Sequence, residues 1–153
     1  MATTGLVVEA GHAKQVPLRG SRVDYLLTGK DSKTCSLFEF IVAPGFDTGA
    51  HYHTRIEEFF FMLEGELELR SGDHVVQAKP GTFVHVAPPT PHYIANRSSK
   101  PARMLLGCLP SGHENYFDEL AALLAKAGPP DPEAVAALRK KYDTIQLSTL
   151  QSK

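Results

Sequence analysis

Through the first 110 positions the apolar residues come in short runs that close on Gly, Pro, Asp or Ser. "VDYLLTG", "CSLFEFIVAPG", "EEFFFMLEG", "ELELRSGD", "HVVQAKPG", "TFVHVAPP", "HYIANRSS" and "ARMLLGCLP" are rich in Val, Leu, Phe and Tyr. Turn signals roughly every 8–12 residues predict an antiparallel sandwich or barrel. Gly65 in "EGE" and Gly72 in "SGD" stand where a tight turn calls for positive φ. After Pro110 the period becomes helical. Ser111 and Glu114 have the spacing of a capping box, and Phe117, Leu120, Ala121 and Leu124 follow on one face. "AGPPDP" breaks this helix, Asp131 caps a second with Pro132 in its first turn, and Val135, Leu138 and Tyr142 share a side. The expected division is a barrel over 1–110 and a helical extension over 111–153, packed on the barrel's outside, over an edge or part of a dimer contact.

Composition narrows the classes. The 153 residues suffice for one domain with a real core, and 42% hydrophobic with 22% charged residues is ordinary for a globular chain. A net charge of -1 offers no basic field for nucleic acid or an anionic membrane, so neither is expected as a partner. Arg139-Lys140-Lys141, the longest basic run, reads as a solvated helix face. No stretch is long and apolar enough to span a bilayer, and "MATTGLVVEAGHAK" lacks the look of a signal peptide, so a cytoplasmic location is expected. Cys35 and Cys108 are far apart and form no CxxC, so both read as small buried hydrophobes.

One stretch carries chemistry: "GFDTGAHYHTRIEEFFFMLEGELEL". On a strand His51 and His53 point to one side, about 7 Å apart, and twist lets two such imidazoles converge on one ion. Glu57 or Glu58 would follow on the next strand; alternation puts one inside and one outside without choosing between them. His92 opens a later strand after a proline-rich turn. Each element alone is weak, and an isolated HxH is more often a pair of surface or half-buried histidines.

Together, the residues resemble the two signature motifs of the cupin superfamily. The first motif is matched by Gly45, His51, His53, Glu58 and Gly65. The second is matched by Gly72, Pro80-Gly81, Pro88, His92 and Asn96, with Gly81-Thr82 where the family usually carries Gly-Asp. The match covers roughly residues 34 to 107, and its spacing to Gly65 selects Glu58 over Glu57. The resemblance implies an all-β fold, a double-stranded β-helix or jelly roll with the two short C-terminal α-helices added. It also implies one divalent transition metal ion (Fe, Ni, Mn, Co, Cu or Zn) held by His51, His53, Glu58 and His92. Such a ligand set suits a borderline ion and leaves open positions for water or substrate.

With Glu58 inward, Phe60 and Met62 share its face and are expected to line an apolar substrate pocket, although filling the core is the competing role. His85 is the candidate proton carrier or partner behind a ligand, with an ordinary exposed histidine as the slightly favoured reading. His74, His12 and His113 are expected to matter little, Glu57 to point outward, and Asn96 to hold backbone.

The chain resembles single-domain, quercetin-dioxygenase-like cupins in particular. That likeness implies a small aromatic or enolisable substrate, O2 as co-substrate, Glu58 as ligand and base, and a homodimer. The alternatives are a redox-neutral isomerase, cyclase or decarboxylase on a polyketide-like or carbonyl substrate, and a non-catalytic metal-dependent binding protein. No DNA-reading helix-turn-helix precedes the barrel in this sequence.

Overall fold

A computed structural model of the chain describes residues 5–148. Two antiparallel sheets face each other. The first has the order β1 (Lys14–Leu18), β2 (Ser21–Leu27), β3 (Ser36–Val42), β10 (Ala102–Leu109), β5 (Glu57–Glu64), β8 (Phe83–Val86). The second runs β11 (Ile145–Gln146), β4 (His51–Tyr52), β9 (His92–Ala95), β6 (Leu67–Ser71), β7 (His74–Ala78). The two sheets are the antiparallel sandwich that the strand pattern predicts, in the jelly-roll form that the resemblance implies. Helices α1 (Glu114–Leu124) and α2 (Pro132–Lys141) follow β10. No helix among the described residues is long and apolar enough to cross a membrane.

The inward face of each strand builds the core. In β3, alternate residues from Ser36 to Val42 are buried, and in β5 Glu58, Phe60 and Met62 are buried between more exposed neighbours. Phe60 and Met62 are wholly buried among Phe38, Leu69 and Met104. Removing a buried phenylalanine costs about 3–5 kcal/mol, so Phe60 is a structural investment wherever substrate sits. The turn glycine Gly65 has φ +74, and a Cβ there would meet Ala102 Cα and Pro101 O at 3.0 Å. Only glycine fits that corner without strain.

Three departures from the sequence pattern have physical causes. The short strands β1 and β11 carry no usable alternation; β11 is set by pairing Ile145 with Tyr52 and Gln146 with His51. The 111–153 extension therefore returns a strand to the barrel after its two helices. The Ser111–Glu114 capping box does not form: His113 is the N-cap and makes no side-chain cap bond. Glu114 instead accepts from Gly29 N at 2.7 Å and Ser36 Oγ at 2.6 Å, tying the helix start to the barrel. Asp131, by contrast, does cap α2, accepting from Glu133 N at 3.0 Å.

Candidate metal centre

His51 in β4 is paired directly with His92 in β9, within one sheet. His53 follows just past the end of β4, and Glu58 enters from β5 in the opposite sheet, in register with Cys108 of β10. The four side chains meet between the sheets, all buried, with their ligand atoms within 4.8 Å of one another. The His51 and His92 rings are 4.3 Å apart, and His53 and His92 5.0 Å.

Each imidazole is oriented from behind. Nδ1 of His51, His53 and His92 lies 2.9 Å from the carbonyl oxygens of Gly49, Asp143 and Thr90 respectively. A carbonyl only accepts, so Nδ1 carries the proton and Nε2 keeps its lone pair for the space between the rings. Burial, then the proximity of His92 and Arg139, pushes the His51 imidazole down to about 3, which keeps it neutral. Burial alone would raise the Glu58 carboxyl. Without a cation, protonated imidazoles at His53 and His92 outweigh it by donating to the carboxylate, which holds the group well below its usual range and raises His53 in turn.

The residues fit a divalent cation. His53 Nε2 is buried without a hydrogen-bond partner among the described residues, although it lies 3.5 Å from Glu58 Oε2. His92 Nε2 and the same Glu58 oxygen are 2.9 Å apart, two acceptors that repel unless a proton or a cation lies between them. Three imidazole nitrogens, neutral once a cation takes the place of the proton, and one carboxylate, each oriented by a hydrogen bond from behind, make a set for a borderline ion.

Four residues that the sequence pattern passes over complete the site. Cys108 donates its thiol to Glu58 Oε1 at 3.6 Å. His113 is buried against Tyr116 and Phe117, with its ring 6.2 Å from that of His53. Its imidazole nitrogen also belongs to a second close group with Glu58 and Cys108. Asp143, just after α2, binds His53 through its carbonyl and the 54–55 turn through its carboxylate. Arg139 is only 4% exposed, which corrects its reading as part of a solvated face. Its guanidinium turns inward because Nη1 donates to Thr48 O at 3.1 Å, across to the barrel.

Other expected positions fall elsewhere. His85 sits in register with Phe59, on the outward face of β5 and β8. It pairs there with Glu57 at 2.6 Å, both about half exposed, so His85 carries no proton for this cavity. Alternation accounts for the correction: Val86, not His85, shares the inward side with Glu58. Phe60 and Met62 fill the core, and neither lines the cavity beside the cluster. Asn96 donates to Val42 O and Lys100 O, holding backbone.

That cavity, about 70 Å3, is lined by His51, His53, Glu58 and His113 together with apolar walls such as Phe40 and Ile94. A second space of about 200 Å3 lies between the 46–48 loop and the two helices, lined by Leu124, Pro130 and Val135. Phe46, Thr48, Tyr116, Leu120 and Arg139 border both. The helices thus roof the open end of the barrel above the cluster.

Residues 38–108 match the family model described as "Cupin domain". This stretch, a little under half of the chain, is similar to a cupin domain. An uncharacterized protein of Methanocaldococcus jannaschii is 33% identical over 81 residues, covering 52% of this chain. The chain spans 65% of that relative's length, just under two thirds. Among solved structures, the polyketide cyclase RemF from Streptomyces resistomycificus superposes with a TM-score of 0.61 at 22% identity, covering 71% of this chain and 81% of that one. A predicted oxalate decarboxylase from Thermotoga maritima gives 0.59 at 20% identity, covering 69% and 99%. At these identities the likeness is one of fold. These neighbours carry names of different reaction types, and a shared fold does not assign a reaction to this chain.

Proposed function

We propose that this protein is a cupin and a metal-dependent enzyme that activates a small enolisable or hydroxylated aromatic substrate, with a dioxygenase-like reaction as the first reading. The observation that supports it most is the set of inward-facing Nε2 atoms and the Glu58 carboxylate beside a largely apolar cavity. Bound there by His51, His53, Glu58 and His92, a divalent transition metal would supply Lewis acidity and, if redox-active, a route to O2.

The chain's own residues do the rest. Phe40, Phe46, Ile94 and Leu106 give the substrate an apolar bed, and the roof of Tyr116 and Leu120 excludes water. Glu58 Oε2 faces the imidazoles, and Glu58 Oε1 is held by the Cys108 thiol, so the carboxylate is fixed in orientation. In this position Glu58 takes the proton from a substrate hydroxyl or from the carbon next to a carbonyl. His113, in the same group as Glu58 and Cys108, is placed to pass that proton on.

Size constrains the substrate. A space of about 70 Å3 beside the cluster holds roughly two waters' worth of atoms, so the body of a substrate must extend into the adjoining 200 Å3. Small organic molecules such as catechols and 1,3-diketones suit the two adjoining spaces. The redox-neutral reading has its own support in His113, a buried relay that enolisation, cyclisation or decarboxylation would use without O2.

The test is to load the protein anaerobically with Fe(II), Mn(II), Co(II), Ni(II), Cu(II) or Zn(II) and offer these two substrate classes. Deuterium exchange into the substrate under nitrogen reads proton abstraction, and oxygen uptake on admitting air reads oxygenation. Exchange with uptake supports the dioxygenase, and exchange without uptake the redox-neutral enzyme. Neither, with metal bound, overturns the enzymatic reading for these classes.

A further inference from the structure

The guanidinium of Arg139 has no role in the proton transfer above, and its environment is unusual for an arginine. It is buried on α2, where it borders both the cavity at the cluster and the outer one under the helices. Arg139 Nη1 is engaged by Thr48 O, while Nε is buried with no hydrogen-bond partner among the described residues. No carboxylate pairs with it in any ion pair among the described residues, although the fold supplies partners to Arg22, Arg97 and Arg103. A buried charged donor left unpaired is costly, and evenly apolar packing would serve a purely structural position better.

Around it the walls are mostly aromatic and aliphatic, Phe46, Tyr116, Leu120, Leu124 and Val135, with one carboxylate, Asp47, whose charge is met by Arg97 at 2.8 Å. The local charge is also unbalanced. With a divalent ion on Glu58 and three neutral imidazoles, the cluster carries a net positive charge, and Arg139 adds another. An anion with an apolar body matches both the charge and the walls.

We propose that Arg139 is a substrate-binding residue that holds a carboxylate, so that the ligand of this cavity is a small organic acid with an apolar body. This rests on the reading that the cavity beside the metal cluster is the substrate site. The carboxylate takes Nε and the Nη2 beside it, in the fork geometry that arginine offers to carboxylates, with the Tyr116 hydroxyl neighbouring the same guanidinium. The body lies between Tyr116 and Phe46, and the reacting end points toward Glu58. Thr48 orients the guanidinium from the barrel side, so the loop at 46–48 and α2 act together as the acid's clamp.

The experiment compares benzoate with benzamide, equal in shape but not in charge, by calorimetry on the wild type, Arg139→Gln and Arg139→Lys, each with and without Co(II). Near-ultraviolet circular dichroism and thermal melting verify the fold of each variant. The expected result is a clear preference for benzoate in the wild type, weakened about 10-fold or more in Arg139→Gln, with benzamide changed less than about 2-fold. Arg139→Lys keeps the charge without the fork and is expected to fall between; it carries the test if Arg139→Gln does not fold. Equal affinity for the two probes, or benzoate binding unchanged in a folded variant, overturns the proposal. The Co(II) absorption spectrum separately reports the metal site. Benzoate binding is read with or without cobalt, so loss of the spectrum strikes the enzymatic reading and loss of benzoate selectivity strikes Arg139.

Discussion

Cys108 Sγ lies 3.6 Å from Glu58 Oε1, while His92 Nε2 lies 2.9 Å from Glu58 Oε2. The carboxylate is therefore held from behind by one residue and presented to the cluster on its other side. Burial first, and then the Glu58 charge, pushes the Cys108 thiol well up, so it remains a protonated donor instead of a nucleophile. Cys108→Ala is expected to weaken metal binding about 10-fold, as loss of an orienting partner typically does. Cys108→Ser, which keeps a donor, should recover most of that. Competition against a chromophoric chelator measures both, and equal affinities for wild type and Cys108→Ala would remove the positioning role.

The acid sensitivity of the metal-free protein should carry a signature of His113. Burial pushes this imidazole down to about 4 from an ordinary value near 6.5. The folded state thus resists protonation that the unfolded chain accepts. The neutral form contributes its full stability above the unfolded value, and this is lost progressively as pH falls toward the folded one. Between pH 7 and pH 5 the loss from this residue amounts to about 2 kcal/mol. Urea unfolding at the two pH values should show His113→Gln losing less stability than the wild type by roughly that amount. Parallel losses would mean that His113 is not neutralised by the fold.

Asp143 joins α2 to the metal strand. Its carboxylate accepts from Thr54 N at 3.1 Å and Arg55 N at 2.7 Å, and its carbonyl takes His53 Nδ1. It does so at φ +56, a conformation an alanine would adopt only with strain. Asp143→Ala should cost about 1–2 kcal/mol in denaturant unfolding and also weaken metal binding. Asp143→Asn, which tolerates the left-handed backbone and keeps one acceptor, should cost less. A stability loss with metal affinity unchanged would separate the turn from the site.

The parts of this site legible in the sequence are those set by local rules. Period-2 alternation places His51 and the strand of Glu58, a proline-rich turn delivers His92, and Asp131 announces the start of α2. Alternation could not settle Glu57 against Glu58, because parity is relative; the resemblance to the cupin motif, with its fixed spacing to Gly65, did, and Gly65 is required by its close approach to Ala102. Cys108, His113, Arg139 and Asp143 were not legible as site residues. They reach the cluster across 50 to 91 residues of chain, through pairings that no local pattern encodes. His85 failed for a simpler reason: it lies next to the right position, and on a strand the neighbouring residue faces the opposite way.

The most direct test of the account is metal content by elemental mass spectrometry on tag-free protein, beside His51→Ala and His92→Ala. One transition metal ion per chain, about one equivalent in the wild type and lost in both variants while each stays folded, is the result the account predicts. Wild-type protein that carries no metal and takes up none on titration would contradict it, and the four residues between the sheets would then be a buried hydrogen-bonded cluster and nothing more.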